Sequence, residues 1–177
     1  LCQVIPNDIP AIIVSAGPSL NKNIDHLKNA KNKAFIVAVD TALKPLVMHG
    51  IIPDIYVIVD GKKPVTLLDF DEARRIPLMT SLSASKDVLK NHHDKKFFFN
   101  EGITIVNNLF AMNRIPFYSV ACGGSVACSA FSLVYKMGFS RIILVGQDLA
   151  LTGNKTHADG TFMDKMQTID TSNAIMV

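Results

Sequence analysis

An amide, two carboxylates, a hydroxyl and an imidazole crowd one short stretch of this chain. They are Gln147, Asp148, Asp159, Thr156 and His157, all within LVGQDLALTGNKTHADGT, Leu144 to Thr161. A histidine titrates near neutral pH and a neighbouring carboxylate tunes it, so the set suits general acid–base chemistry. The apolar start of the stretch reads as a buried strand. Gly153 and Gly160 then punctuate a polar loop.

Two more aspartates close apolar runs: Asp40 in IVAVD and Asp60 in YVIVD. A further run, AIIVS, opens into AGPSL. There Gly17 permits close backbone approach, Pro18 sets a turn into a helix, and Ser19 offers a hydroxyl at an anion-favouring helix start. In CGGSVACSA, Gly123 and Gly124 precede Ser125 and a run of small residues, which suits either a ligand or tight helix–sheet packing. Structural uses stay open for the acids. Asp40 could cap the next helix and Asp60 could hold a turn. Asp69 and Asp71 in DFD resemble a cation-holding pair but read better as a solvated helix start. No GxxxxGK[ST], GxGxxG or Gly-x-Ser-x-Gly motif is present.

The elements that must position these residues alternate. Runs at 11–15, 34–40, 54–60 and 141–148 read as strands, with weaker candidates at 76–81, 95–100 and FYSVA. Leu20, Ile24 and Leu27 recur at helical spacing after the first run. TALKPLVMHG reads as a helix ending near Gly50, and GGSVACSAFSLVYKMG as a buried helix stopped at Gly138. Strands apolar on both faces, alternating with helices, predict an α/β fold: a Rossmann-like, doubly wound, mostly parallel sheet with helices on both faces. In such a sheet the strand C-termini share one rim, where ligands bind. The polar stretches 61–75 and 82–95 read as loops with some mobility.

The 177 residues are 49% hydrophobic, enough for one domain with a substantial core over 1–177. A net charge of +3 with scattered Lys and Arg argues against a nucleic-acid surface. NHHDKKFFF is then a solvated turn before a strand. Cys2, Cys122 and Cys128 form no CxxC pair, so neither a zinc ribbon nor a disulfide framework is expected, and a reducing, cytoplasmic setting fits. No signal peptide or bilayer-length apolar run is visible. A start at Leu1 suggests a piece of a longer chain.

Together, VSAGPSL, VAVDTALKPL, GIIPDIYVIVD, GGSVA and LVGQDLALTGNKTHADGT resemble the motility accessory factor (Maf) family, from about residue 9 to 163. That family shares a domain with archaeal 6-hydroxymethylpterin diphosphokinases and is similar in fold to bacterial CMP-sialic-acid-dependent sialyltransferases. The resemblance implies a glycosyltransferase that moves a CMP-activated nonulosonic acid to flagellin. It implies that Gly17, Pro18 and Ser19 approach the nucleotide, that Asp40 contacts the sugar nucleotide, and that Gly124, Ser125, Gln147, Asp148, Thr156 and His157 line the donor pocket. Related sequences often carry a proline after the strand-end aspartate where this chain has Asp60–Gly61, so the role of Asp60 stays open.

Three functional expectations result. In the first, His157 is the base, Asp148 or Asp159 orients it, helix N-termini after GPSL and GGS hold the phosphate, and no metal or other cofactor is required. In the second, the chain transfers diphosphate from ATP to a pterin alcohol, with Mg2+ held by Asp40, Asp60 and Asp148. In the third, it is a non-catalytic nucleotide-binding domain.

Overall fold

The computed structural model describes residues 8–117, 119–120, 123–151 and 155–161. The described residues form six strands and six helices, alternating except that the last two helices follow one another. They are β1 (Ala11–Val14), α1 (Leu20–Leu27), β2 (Phe35–Val39), α2 (Asp40–Met48), β3 (Ile55–Ile58), α3 (Asp71–Arg75), β4 (Leu78–Ser81), α4 (Lys86–Asn91), β5 (Lys96–Phe99), α5 (Thr104–Met112), α6 (Val126–Lys136) and β6 (Ile142–Val145).

All six strands are parallel, in the order β5-β4-β3-β2-β1-β6. The chain steps outward from β1 to β5, then crosses back to lay β6 on the other side of β1. Right-handed crossovers in opposite directions put their helices on opposite faces. Accordingly α6, from the return crossover, packs on β1, β2, β3 and β6, while α2 packs on β2, β3 and α3. The sheet is therefore doubly wound, and its order reverses between β1 and β6.

The central strands explain their own sequences. Ile13, Val14, Val37, Val57, Ile58 and Leu78 are fully buried, because helices cover both faces of the sheet. Leu20, Ile24 and Leu27 are the buried face of α1, as their spacing predicts. Gly50 and Gly138 follow α2 and α6 with φ of 72° and 96°, so each stops its helix in the left-handed conformation.

Some elements depart from the sequence reading. Among the described residues β6 is an edge strand, and Ile143 and Leu144 are half exposed rather than buried. An apolar composition cannot distinguish a central strand from an edge one. Helix α6 buries only one face, through Ser129, Ala130, Leu133 and Val134, and turns Phe131 and Tyr135 outward. The polar stretch 82–95 contains the short helix α4, whereas α3 begins at Asp71, where the sequence reads as a helix start. Of FYSVA, Tyr118 and Ala121 lie outside the described residues, and Ser119 makes an isolated parallel bridge with Asn100. Among the described residues no helix is long and apolar enough to cross a membrane.

Candidate functional site

The point where strand order reverses is the natural crevice of an open α/β sheet, since neighbouring loops diverge there to opposite faces. A cleft of about 490 Å³ occupies it. The loops after β1, β2 and β6, the start of α6 and the segment around His157 all line it.

The floor is made where the β1 loop meets the β6 loop. Ser15 N–H donates to the Val145 carbonyl (2.8 Å) and Gly17 N–H to the Gly146 carbonyl (2.8 Å). These bonds continue the β1–β6 ladder past the strand ends. The Ser15 hydroxyl donates to Gln147 Oε1 at 2.7 Å. The loops approach so closely that both glycines are required. A Cβ at Gly17 would stand 2.5 Å from the Gly146 carbonyl oxygen, and one at Gly146 would overlap the Ser15 carbonyl. Gly146 also has φ of 70°.

Asp148 completes this floor. Its Oδ2 accepts from the Ser19 N–H at 2.6 Å, and its Oδ1 accepts a short hydrogen bond from the Ser19 hydroxyl. The anion-favouring start of α1 is thus filled by the protein's own carboxylate. Ser19 and Pro18 do not line the cleft, whereas Gly17 does.

The opposite wall is built differently. Asp40 is the first residue of α2, with Val39 at the N-cap. Its Oδ1 accepts from the Thr41 N–H (2.6 Å) and hydroxyl (3.0 Å), so it serves the helix from inside the first turn. Its Oδ2 lies 2.9 Å from Lys63 Nζ. That contact is off the hydrogen-bonding direction, and the buried Oδ2 accepts no hydrogen bond. The ion pair and the unsatisfied acceptor are compatible: the charges attract, but a lone pair goes unused. Lys63 comes from the loop after β3 and also reaches the Thr41 hydroxyl at 3.4 Å.

His157 sits above this pair. The segment that carries it is pinned by Ala158 N–H to the Ala16 carbonyl (2.7 Å) and Asp159 N–H to Asn21 Oδ1 (3.0 Å). Its Nδ1 is 2.9 Å from the Thr156 hydroxyl. Burial, then the charge of Lys63, push the imidazole pKa below its ordinary value, and Asp40 pulls the other way. The expected orienting acids are engaged elsewhere: Asp148 with Ser19, and Asp159 with Lys155. Thr156 contacts the ring instead.

Of the sequence-predicted residues, the cleft gathers Gly17, Asp40, Ser125, Gln147, Asp148, Thr156 and His157. Ser125 is the N-cap of α6, its hydroxyl accepting from the Cys128 N–H (3.3 Å). Gly124 precedes it with φ of 83° and does not line the cleft. Asp60 also stands apart: it is exposed, and its carboxylate accepts from the Lys62 N–H at 2.8 Å to hold a turn. Asp69 and Asp71 both pair with Arg74, as a solvated helix start would. Lys63 was missed because VDGKKP reads as a turn, and nothing in it says which lysine folds inward.

The strand-end acids of the second expectation stand apart in this structure. Asp40, Asp60 and Asp148 each serve a different partner, and no group of three or more His, Cys, Asp or Glu suited to a metal occurs among the described residues. No Lys or Arg is among the described residues lining the cleft itself.

Residues 2–154 match the family described as 6-hydroxymethylpterin diphosphokinase MptE-like. The chain belongs to that family. No curated protein sequence matches it. In three dimensions this family member is similar to the MAf glycosyltransferase from Magnetospirillum magneticum AMB-1, with a TM-score of 0.73 and 21% identity over 85% of the chain. It spans about a quarter, 24%, of that protein. The likeness establishes the shared Rossmann-like fold, and the two findings together bear out the resemblance of this chain to Maf and MptE-like sequences.

Proposed function

We propose that this domain is the donor site of a glycosyltransferase, taking a CMP-activated nonulosonic acid and serving flagellin as acceptor in the cytoplasm. The observation that carries the reading is a partly buried His157, held neutral by its surroundings, on a nucleotide-sized cleft at the strand-order reversal. With the proton on Nδ1, the Thr156 hydroxyl accepts it and Nε2 is the basic nitrogen. Nε2 then takes the proton of the acceptor hydroxyl. The acceptor oxygen bonds to the anomeric carbon, and the bond to the CMP phosphate oxygen breaks with its electron pair on the phosphate. The start of α6, capped by Ser125, lines the cleft and helps to enclose the donor.

A second reading, Mg2+-dependent diphosphate transfer to a pterin alcohol, is favoured by the family's description and by two carboxylates, Asp40 and Asp148, on the cleft wall. Calorimetric titration with CMP and with ATP, each with and without Mg2+, separates the two. Magnesium-independent CMP binding supports the transferase. ATP binding that demands Mg2+ replaces it with the diphosphokinase. CMP binding without transfer by the intact protein leaves a nucleotide-binding domain only.

A further inference from the structure

Behind the main cleft, and sharing Asp40 and Thr41 with it, lies a side pocket of about 40 Å³ lined also by Lys44, Lys63, Thr66 and Leu67. We infer that this pocket is the phosphate subsite of the bound nucleotide and that Lys63 is the residue that grips it. The inference rests on the nucleotide-site reading above and adds a residue and a subsite to it.

Three observations converge. The start of α1 is closed to a ligand phosphate by Asp148, and the described lining of the main cleft supplies no Lys or Arg. A ligand phosphate must find its cation elsewhere, and the side pocket offers two lysines and two hydroxyls together. Next, the Lys63–Asp40 pair is buried yet incompletely satisfied. The side chains are 16% and 3% exposed, and the pair meets at 2.9 Å without hydrogen-bond geometry. A buried ion pair is secure only when its remaining donors and acceptors are filled. Here Asp40 Oδ2 has a lone pair to offer, and Lys63 Nζ reaches its other partner, Thr41, only at 3.4 Å. A ligand with both an oxyanion and a hydroxyl completes both at once: the oxyanion takes Lys63, with Lys44 and Thr41 beside it, and the hydroxyl donates to Asp40. Finally, the charge of Lys63 lowers the pKa of His157, so the ammonium lies within electrostatic range of the histidine rather than in a remote turn.

The ordinary alternative is that Lys63 merely neutralises Asp40. The test therefore compares a nucleotide with its nucleoside. CMP and cytidine are titrated calorimetrically into the intact wild-type protein, Lys63→Gln, Lys63→Arg, Asp40→Asn and the Asp40→Asn/Lys63→Gln double variant. The double variant carries no uncompensated buried charge, so it serves if Lys63→Gln alone fails to fold. Expected is a loss of at least about tenfold in CMP affinity in Lys63→Gln with cytidine affinity unchanged, and partial recovery in Lys63→Arg. The double variant loses the preference for CMP over cytidine that Asp40→Asn alone retains. An unchanged preference, or equal loss of both ligands, overturns the phosphate assignment while leaving the nucleotide site intact. If wild type binds ATP but not CMP, the transferase reading fails, and the ratio of ATP to adenosine affinity judges Lys63 by the same criterion. Binding of no nucleotide at all overturns both.

Discussion

The two walls of the cleft each present an aspartate at a strand end, yet the two acids behave oppositely. Asp148 is fully used: its oxygens take the N–H and hydroxyl of Ser19, and the glycines beside it let two loops zip together. Asp40 is half used: one oxygen serves α2, and the other faces Lys63 with an empty lone pair. A carboxylate that closes every bond locally stabilises the fold. One that is buried with an unfilled acceptor beside a lysine is, on the inference above, available to a ligand. On the proposal above the difference separates framework from binding wall, the reverse of the sequence reading, in which Asp40 is the candidate helix cap and Asp148 the stronger candidate for function.

The sharpest way to break the framework side is Gly146→Ala. The new Cβ overlaps the Ser15 carbonyl, at a φ that favours glycine. We expect a loss of about 3 kcal/mol or more in unfolding free energy by denaturant titration, with CMP binding lost as the loops part. A stability within experimental error of wild type would show that the β1–β6 floor is not rigid.

Smaller, and more discriminating, is the contrast between the acids. Asp148→Asn is expected to cost about 1–2 kcal/mol of stability through its weakened bonds to Ser19. The Asp40→Asn/Lys63→Gln double variant removes a buried pair together, so its stability is expected to stay within about 1 kcal/mol of wild type while CMP binding weakens. Thermal melts and calorimetry on the two proteins would show the pattern reversed if the assignment of the walls is wrong.

His157→Ala tests chemistry rather than binding. Transfer by the intact protein is expected to fall about 10²–10⁴-fold with CMP affinity nearly unchanged. Full retained transfer would remove His157 as the base.

The mildest expected effect is on pH. His157 and the buried His92, whose Nδ1 lies 3.1 Å from the Tyr56 hydroxyl, both have lowered pKa values, chiefly from burial. Folded, they bind protons more weakly than unfolded, so the unfolded state takes up protons first as pH drops. Their contribution to stability is complete above about pH 6.5 and declines as pH falls from there toward the folded values. Melting temperatures recorded from pH 7.5 to 5.5 should fall. The acid limb of transfer activity should lie below pH 6.5, and Lys63→Gln should move it upward by removing a nearby positive charge. An unmoved limb would separate Lys63 from the base.

Much of this molecule was written locally. Alternating apolar runs gave the strands, Leu20, Ile24 and Leu27 gave the face of α1, and strand-end aspartates pointed to one rim. Resemblance supplied the family. What local pattern misjudged was neighbourhood: β6 is as apolar as β1 but, among the described residues, has a partner on one side only. The short helix α4 went unseen, and α3 was marked only by its acidic start, because one or two turns carry too little periodicity to register.

The sequence by itself determined the class of fold and the rim of the site, because period and composition act over a few residues. Tertiary structure alone decided which polar groups satisfy each other. Ser19 and Asp148 are 129 positions apart, and Asp40 opens α2 while Lys63 comes from the loop after β3; the crossover that places β6 beside β1 closes the first pair, and the second meets with one carboxylate oxygen left without a hydrogen bond. Whether a carboxylate holds the fold or waits for a ligand depends on what stands within about 3 Å of it, and only the folded chain sets that distance.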